Sequence, residues 1–252
     1  MGATILTTLG SIALVAPDGR ELRAVLQQPK RFALLVHLAL AQPGGFVRRE
    51  RMLAMFWPES DESHARDALN SSVRFLRREL GDEAIVSRGD SELGVSAEHI
   101  ECDAVQLLAA FAEQRHHDAV SWHGGPLLDG FHISGAAGFS DWLDSERVRL
   151  RDIGATSSRR YAEVLAKSGD ADGAARHFRI AADLAPYDEG ATRRLVEFLA
   201  EVGDRAGALH ELAKLTERLA NEFDASPSPD TRLLLERVRH ALAARDSRTS
   251  GN

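Results

Sequence analysis

The chain has 252 residues, 44% of them hydrophobic and 27% charged, a balance that excludes a disordered polymer and leaves room for one large domain or two ordinary ones. No apolar run approaches the roughly 20 residues that cross a bilayer, and Met1 to Gly10 carries no Lys or Arg ahead of its apolar residues. Neither a membrane span nor a secretory leader is therefore expected, and with Cys102 as the only cysteine, intrachain disulfides and cysteine-built zinc sites are excluded and a cytoplasmic setting fits.

The net charge of -7 is unevenly spread. Residues 1–100 hold 12 Lys/Arg against 13 Asp/Glu, whereas the remainder holds 19 against 25. Ile5–Leu9 and Ile12–Val15, punctuated by Pro17-Asp18-Gly19, predict a small antiparallel sheet. Lys30–Leu40 predicts a mostly buried helix ended by Pro43-Gly44-Gly45. A second short helix follows over Arg48–Phe56, stopped by Trp57-Pro58, and then a polar loop, Glu59-Ser60-Asp61-Glu62. A third helix spans Ser63–Leu80 with Gly81 behind it, and Ala84–Ser87 and Glu92–Val95, joined around Gly89-Asp90, predict a hairpin.

The third helix is sharply two-faced. With Arg66 at zero and about 100° per residue, Arg77 falls at about 20°, Asn70 at about 40°, Arg74 at about 80° and Arg78 at about 120°. Leu69, Val73, Leu76 and Leu80 cluster on the other side. One face can pack on the two preceding helices. The other can enter a major groove, where Arg pairs with guanine edges or phosphates and Asn with adenine. Three helices followed by a hairpin, with strands in front, is the order of a winged-helix domain, and Arg88 at the hairpin is placed for a phosphate or the minor groove.

From Cys102 onward helical patterns dominate. Gly169-Asp170 recurs as Gly203-Asp204 at an offset of 34 residues, and the same offset relates Gly173-Ala174 to Gly207-Ala208, Leu165-Ala166 to Leu199-Ala200, and Phe178 to Leu212. That is the period of tetratricopeptide helix pairs, which need neighbours to bury their faces; helices at 102–122, 139–166 and 230–244 are the expected neighbours.

Ala65–Gly81, together with Val47–Leu53 and Phe56-Trp57-Pro58, resembles the winged-helix domain of OmpR-type regulators, and more closely that of the Streptomyces antibiotic regulatory protein family. The second half resembles that family's bacterial transcriptional activator domain in Cys102-Asp103, Gly124–Leu128, Trp142–Arg147, Leu184–Glu189, Gly203–Ala208 and Ser226–Thr231. Two positions depart from the family pattern: the wing carries no Tyr before Leu93, and Phe75 stands where relatives often carry a basic or polar residue. The resemblance implies a winged helix-turn-helix (α+β) domain over 1–100, a mainly α, tetratricopeptide-like domain over 101–245, and a disordered tail over 246–252. It implies an activator that binds promoter direct repeats as a homodimer, with Arg66, Asn70, Ser71, Arg74, Arg77, Arg78 and Arg88 on double-stranded DNA. Glu59, Ser60, Asp61 and Glu62 would contact RNA polymerase. Replacing Arg74 and Arg77 with Ala is expected to abolish specific binding and leave the fold intact.

Other signals point nowhere. His116-His117 are adjacent on a helix and cannot easily face one metal ion, and Gly124-Gly125 lacks the Gly-Lys-Ser/Thr of a phosphate loop. No catalytic constellation, cofactor motif or metal set is expected. The rival expectation is a helical-repeat adaptor whose winged helix docks proteins instead of DNA, in line with the near-neutral first hundred residues and the missing wing Tyr. The two expected domains fill the 252 residues and leave no space among them for a receiver or ATPase domain.

Overall fold

A computed structural model describes residues 2–41 and 45–249, with side chains through residue 240. It resolves into two compact units, Met1–Leu150 and Arg151–Asn252. Among the described residues no helix is long and apolar enough to cross a membrane. The expected class is observed: a helical majority, an N-terminal α+β region and a helical second half.

In the first unit β1 (Thr4–Thr7) and β2 (Ala13–Val15) pair antiparallel, with the buried Leu6 opposite the buried Leu14. A single turn, α1 (Arg23–Leu26), leads to α2 (Pro29–Ala39), whose Phe32–Ala39 stretch is wholly buried. Pro29 opens α2, where a missing N–H costs nothing. Pro43 and Gly44, expected to end this helix, lie outside the described residues, and the helix stops at Ala39. Then come β3 (Phe46–Arg48), α3 (Arg49–Phe56), α4 (Glu62–Leu80), the hairpin β4 (Ile85–Arg88) and β5 (Glu92–Val95), and β6 (Ile100–Cys102). The strands form two sheets, β2-β1-β6 and β3-β5-β4. Neither β3 nor β6 is expected from the sequence, because three residues are too few to display alternation. β6 joins β1 in parallel, and β3 pairs with β5 antiparallel.

The expected helix over 102–122 is two: α5 (Asp103–Ala112) and α6 (His116–Trp122), broken where Gln114 takes a positive φ of 57°. α7 (Ala137–Ser168) is one long helix, and the boundary between the two compact units falls inside it. Residues 103–150 group with the strands in one unit. The Asp103 carboxylate accepts the Thr8 and Leu9 N–H groups at 2.8–2.9 Å and the Thr8 hydroxyl at 2.6 Å. Arg147 donates to the Leu127 and Leu128 carbonyls at 2.9 and 2.7 Å, holding a loop in which Leu128 has a φ of 46°. Gly124 packs against Gly10: a Cβ on Gly10 would stand 2.3 Å from the Gly124 carbonyl oxygen, so two backbones touch that no larger residue could bring together.

In the second unit α8 (Ala171–Leu184), α9 (Glu189–Glu201), α10 (Arg205–Phe223) and α11 (Pro229–Thr249) follow the rest of α7. The 34-residue repeat is a repeated turn. Gly169 and Gly203 adopt φ of 88° and 90°, and Asp170 and Asp204 then cap α8 and α10 by accepting the Gly173 and Gly207 N–H groups, each at 2.9 Å. Ala174 and Ala208 are fully buried, and Phe178 and Leu212 fill equivalent core places. The Ser226–Thr231 motif is a clamp on α9. Burial works against the Glu189 charge, but hydrogen bonds from Ser228 and Thr231 outweigh it and hold the carboxyl below its ordinary value. α11 runs to Thr249, so residues 246–249 of the expected tail are helical, and 250–252 lie outside the described residues.

Candidate nucleic-acid interface

α4 is built for two environments. Ala65, Leu69, Val73 and Leu76 are buried, while Arg66, Asn70, Arg74 and Arg78 are exposed. Its N-terminus is capped by Asp61, whose carboxylate accepts the His64 N–H at 3.0 Å and also meets the His64 ring. The backbone N–H and then the ring of His64 hold Asp61 below the usual carboxylate range, and Asp61 in turn raises His64. The expected polar loop is thereby divided. Glu59, Ser60 and Asp61 form an exposed turn, whereas Glu62 is the first residue of α4 and pairs with Arg66 four residues on.

The expected arginines fall into two groups. Arg66 and Asn70 line an open cleft of about 830 Å³ together with Arg48, Arg49, Ser87 and Gly89, so the first half of α4 faces the hairpin tip. Arg74, Arg77 and Arg78 border a separate concavity near Gly81. Ser71 is half-buried, and the buried Ser72 returns its hydroxyl to the Ala68 carbonyl. Arg88 pairs with Glu92 and lies over the Phe46 ring at 4.4 Å. Among the described residues Arg74 makes no ion pair, whereas Arg66 and Arg78 do, with Glu62 and Glu79.

Arg77 is placed differently from its neighbours. Its Nε donates to the Ile85 carbonyl at 2.9 Å and its Nη2 to the Ser87 hydroxyl at 3.1 Å, so this half-buried guanidinium fastens α4 to β4. Phe75, the departure from the family pattern, carries two guanidinium groups on its ring, Arg31 at 4.3 Å and Arg78 at 5.0 Å. An aromatic here gathers positive charge.

Sequence reasoning missed Arg48 and Arg49 as site residues. Arg49 opens α3, its backbone N–H donates to the Ser91 carbonyl at 2.8 Å, and its Nη1 donates to Asn70 Oδ1 at 2.9 Å, orienting the one amide of the exposed face. Its Nε is buried without a partner among the described residues. Burial and then the nearby Arg77 charge lower the Arg49 pKa, with Asp90 acting the other way. The consecutive Arg48-Arg49 was visible in the sequence, but the strand that brings it to the wing was not.

A family model described as the bacterial transcriptional activator domain matches residues 101–239, more than half of the chain. The chain belongs to that family. The bacterial transcriptional activator domain match begins within β6 and ends in α11, so it spans the clamp on α9 and both copies of the Gly-Asp turn. No curated protein matches the chain. Among solved structures, Mycobacterium tuberculosis EmbR in complex with a low affinity phosphopeptide is similar in fold, with a TM-score of 0.67 and 20% identity over 96% of this chain. This chain spans 66% of the length of that one. Together the family match and the shared fold uphold the resemblance to Streptomyces antibiotic regulatory proteins, and with it a role in transcription regulation.

Proposed function

We propose that this protein is a sequence-specific DNA-binding transcription activator, in which α4 enters the major groove and the β4–β5 hairpin serves as the wing. The observation that carries the reading is the exposed Arg66, Asn70, Arg74 and Arg78 face of a helix whose opposite face is buried. From Arg66 to Arg78 that face runs about 18 Å, a span that fits within one turn of duplex. Asn70, oriented by Arg49, is the residue suited to read adenine, and the arginines are suited to guanine or phosphate. Two copies on direct promoter repeats, with the Glu59–Glu62 turn meeting RNA polymerase, complete the reading; no catalysis is assigned to the chain.

Binding of the full chain to fragments of its own promoter region, measured across salt concentration, tests it. With about six phosphates neutralised, log affinity should fall with log salt at a slope of about -5. Arg74→Ala should make the slope shallower by about one unit, whereas Asn70→Ala should relax base preference and leave the slope in place. Reversing Glu59 and Glu62 to Lys should lower transcription without weakening DNA binding. A chain that binds no DNA at low salt, with its helical content intact, would be a protein-docking adaptor instead.

A further inference from the structure

Away from the α4 face, the first unit holds a smaller hollow of about 380 Å³, walled by residues of α2, β3, α3, β5 and α7. At its wall stands His37, 4% exposed, in the middle of the apolar run of α2. Its ring meets Trp142 edge-on at 4.6 Å and Phe56 at 6.0 Å. Both ring nitrogens are buried and, among the described residues, neither has a hydrogen-bond partner. Burial, and then the charge of Arg51, push the His37 pKa down to about 4, so the ring is neutral at physiological pH, with one N–H to donate and one lone pair to accept. Native proteins seldom leave such groups orphaned.

The rest of the lining names the missing partner. Trp142 and Phe46 offer aromatic surface. Arg48 and Arg51 line it and are exposed, and Glu92, the one carboxylate of the lining among the described residues, is already engaged by Arg88. The volume lies at the small end of the range for ligand pockets. We propose that this hollow binds a small planar aromatic carboxylate, its ring against Trp142 and Phe46, its acid on Arg51 and Arg48, and a ring hydroxyl or N–H on His37. Arg48 and Glu92 also line the cleft beside α4, so occupancy reaches the wing directly. The binding itself stands apart from the DNA reading.

The test uses the full chain with salicylate, 4-hydroxybenzoate and indole-3-acetate as probes, and benzamide as the uncharged control. Histidine-ring NMR signals, assigned by His37→Gln, and tryptophan fluorescence are followed up to millimolar probe. At least one acid should shift the His37 signals saturably while benzamide does not. His37→Phe, which keeps the ring volume, and the exposed Arg51→Gln should each weaken that binding at least tenfold. If no acid moves the His37 signals, or if Arg51→Gln binds as tightly as the parent chain, the proposal is overturned.

Discussion

Arg74 and Arg77 lie on one stripe of α4, yet their loss should have opposite consequences. Arg77→Ala removes two hydrogen bonds from a charged donor, at 2.9 Å to the Ile85 carbonyl and 3.1 Å to the Ser87 hydroxyl. Bonds of this kind contribute about 1.5–3 kcal/mol each when buried. Arg77 is half-buried and Ser87 is exposed, so solvent takes over much of the second bond, and a net loss of about 2 kcal/mol follows. Arg74 is exposed and, among the described residues, forms no ion pair, so Arg74→Ala should change stability by less than about 0.5 kcal/mol. Amide hydrogen exchange of Ile85–Arg88 reads the difference locally: Arg77→Ala should speed it by about 30-fold, and Arg74→Ala should leave it unchanged. Arg77→Lys keeps the charge but cannot span two acceptors, so it should exchange nearly as fast as Arg77→Ala. DNA affinity should then fall in both alanine variants for different reasons. Equal protection of β4 in all three would refute the assignment of Arg77 as the tie between helix and wing.

Three further outcomes are expected. Gly169→Ala and Gly203→Ala meet no neighbouring atom, so each should cost only the strain of a positive φ, about 1–2 kcal/mol, and the two should agree in denaturant titrations; Gly10→Ala adds a backbone clash and should cost more. Asp103→Asn replaces one of two acceptor oxygens with a donor that faces the Thr8 and Leu9 N–H groups, and should lower the thermal midpoint by an amount equivalent to about 2 kcal/mol. Burial, and then the charge of Asp103, push the Cys102 thiol up to about 11, so a thiol reagent at pH 8 should react slowly with the folded chain and at an ordinary rate in denaturant.

The features legible in the sequence are those encoded within one stretch of chain. α4 announces itself by period and by Gly81 behind it, and the Gly-Asp turn repeats because each copy is complete in itself: a glycine that tolerates positive φ, an aspartate that caps, and a second glycine that leaves room for the carboxylate. What stayed hidden depends on distant partners. β3 and β6 are three residues each and exist only because β5 and β1 offer them edges. The change from strand to helix near residue 100 marks a change of structural class, but Asp103 and Arg147 tie the next fifty residues back to the strands, so compactness divides the chain inside α7.

The arginines of α4 show the same limit inside a single helix. On a wheel, Arg66 at 0° and Arg77 at about 20° are near neighbours, and nothing in that projection separates a solvated guanidinium from a fastened one. The separation comes from the axis. Arg66 sits in the first turns, where the nearby hairpin tip leaves an open cleft, and Arg77 sits eight residues before the carbonyl that receives it. His37 is the sharper case: within Phe32–Ala39 it reads as an interruption in a buried run, and only the approach of Trp142 from more than a hundred residues away makes it a wall of a hollow, with both ring nitrogens buried. An exposed basic stripe is thus open to sequence reasoning, whereas residues that fasten the hairpin or line a hollow are defined by whichever distant segment folds against them.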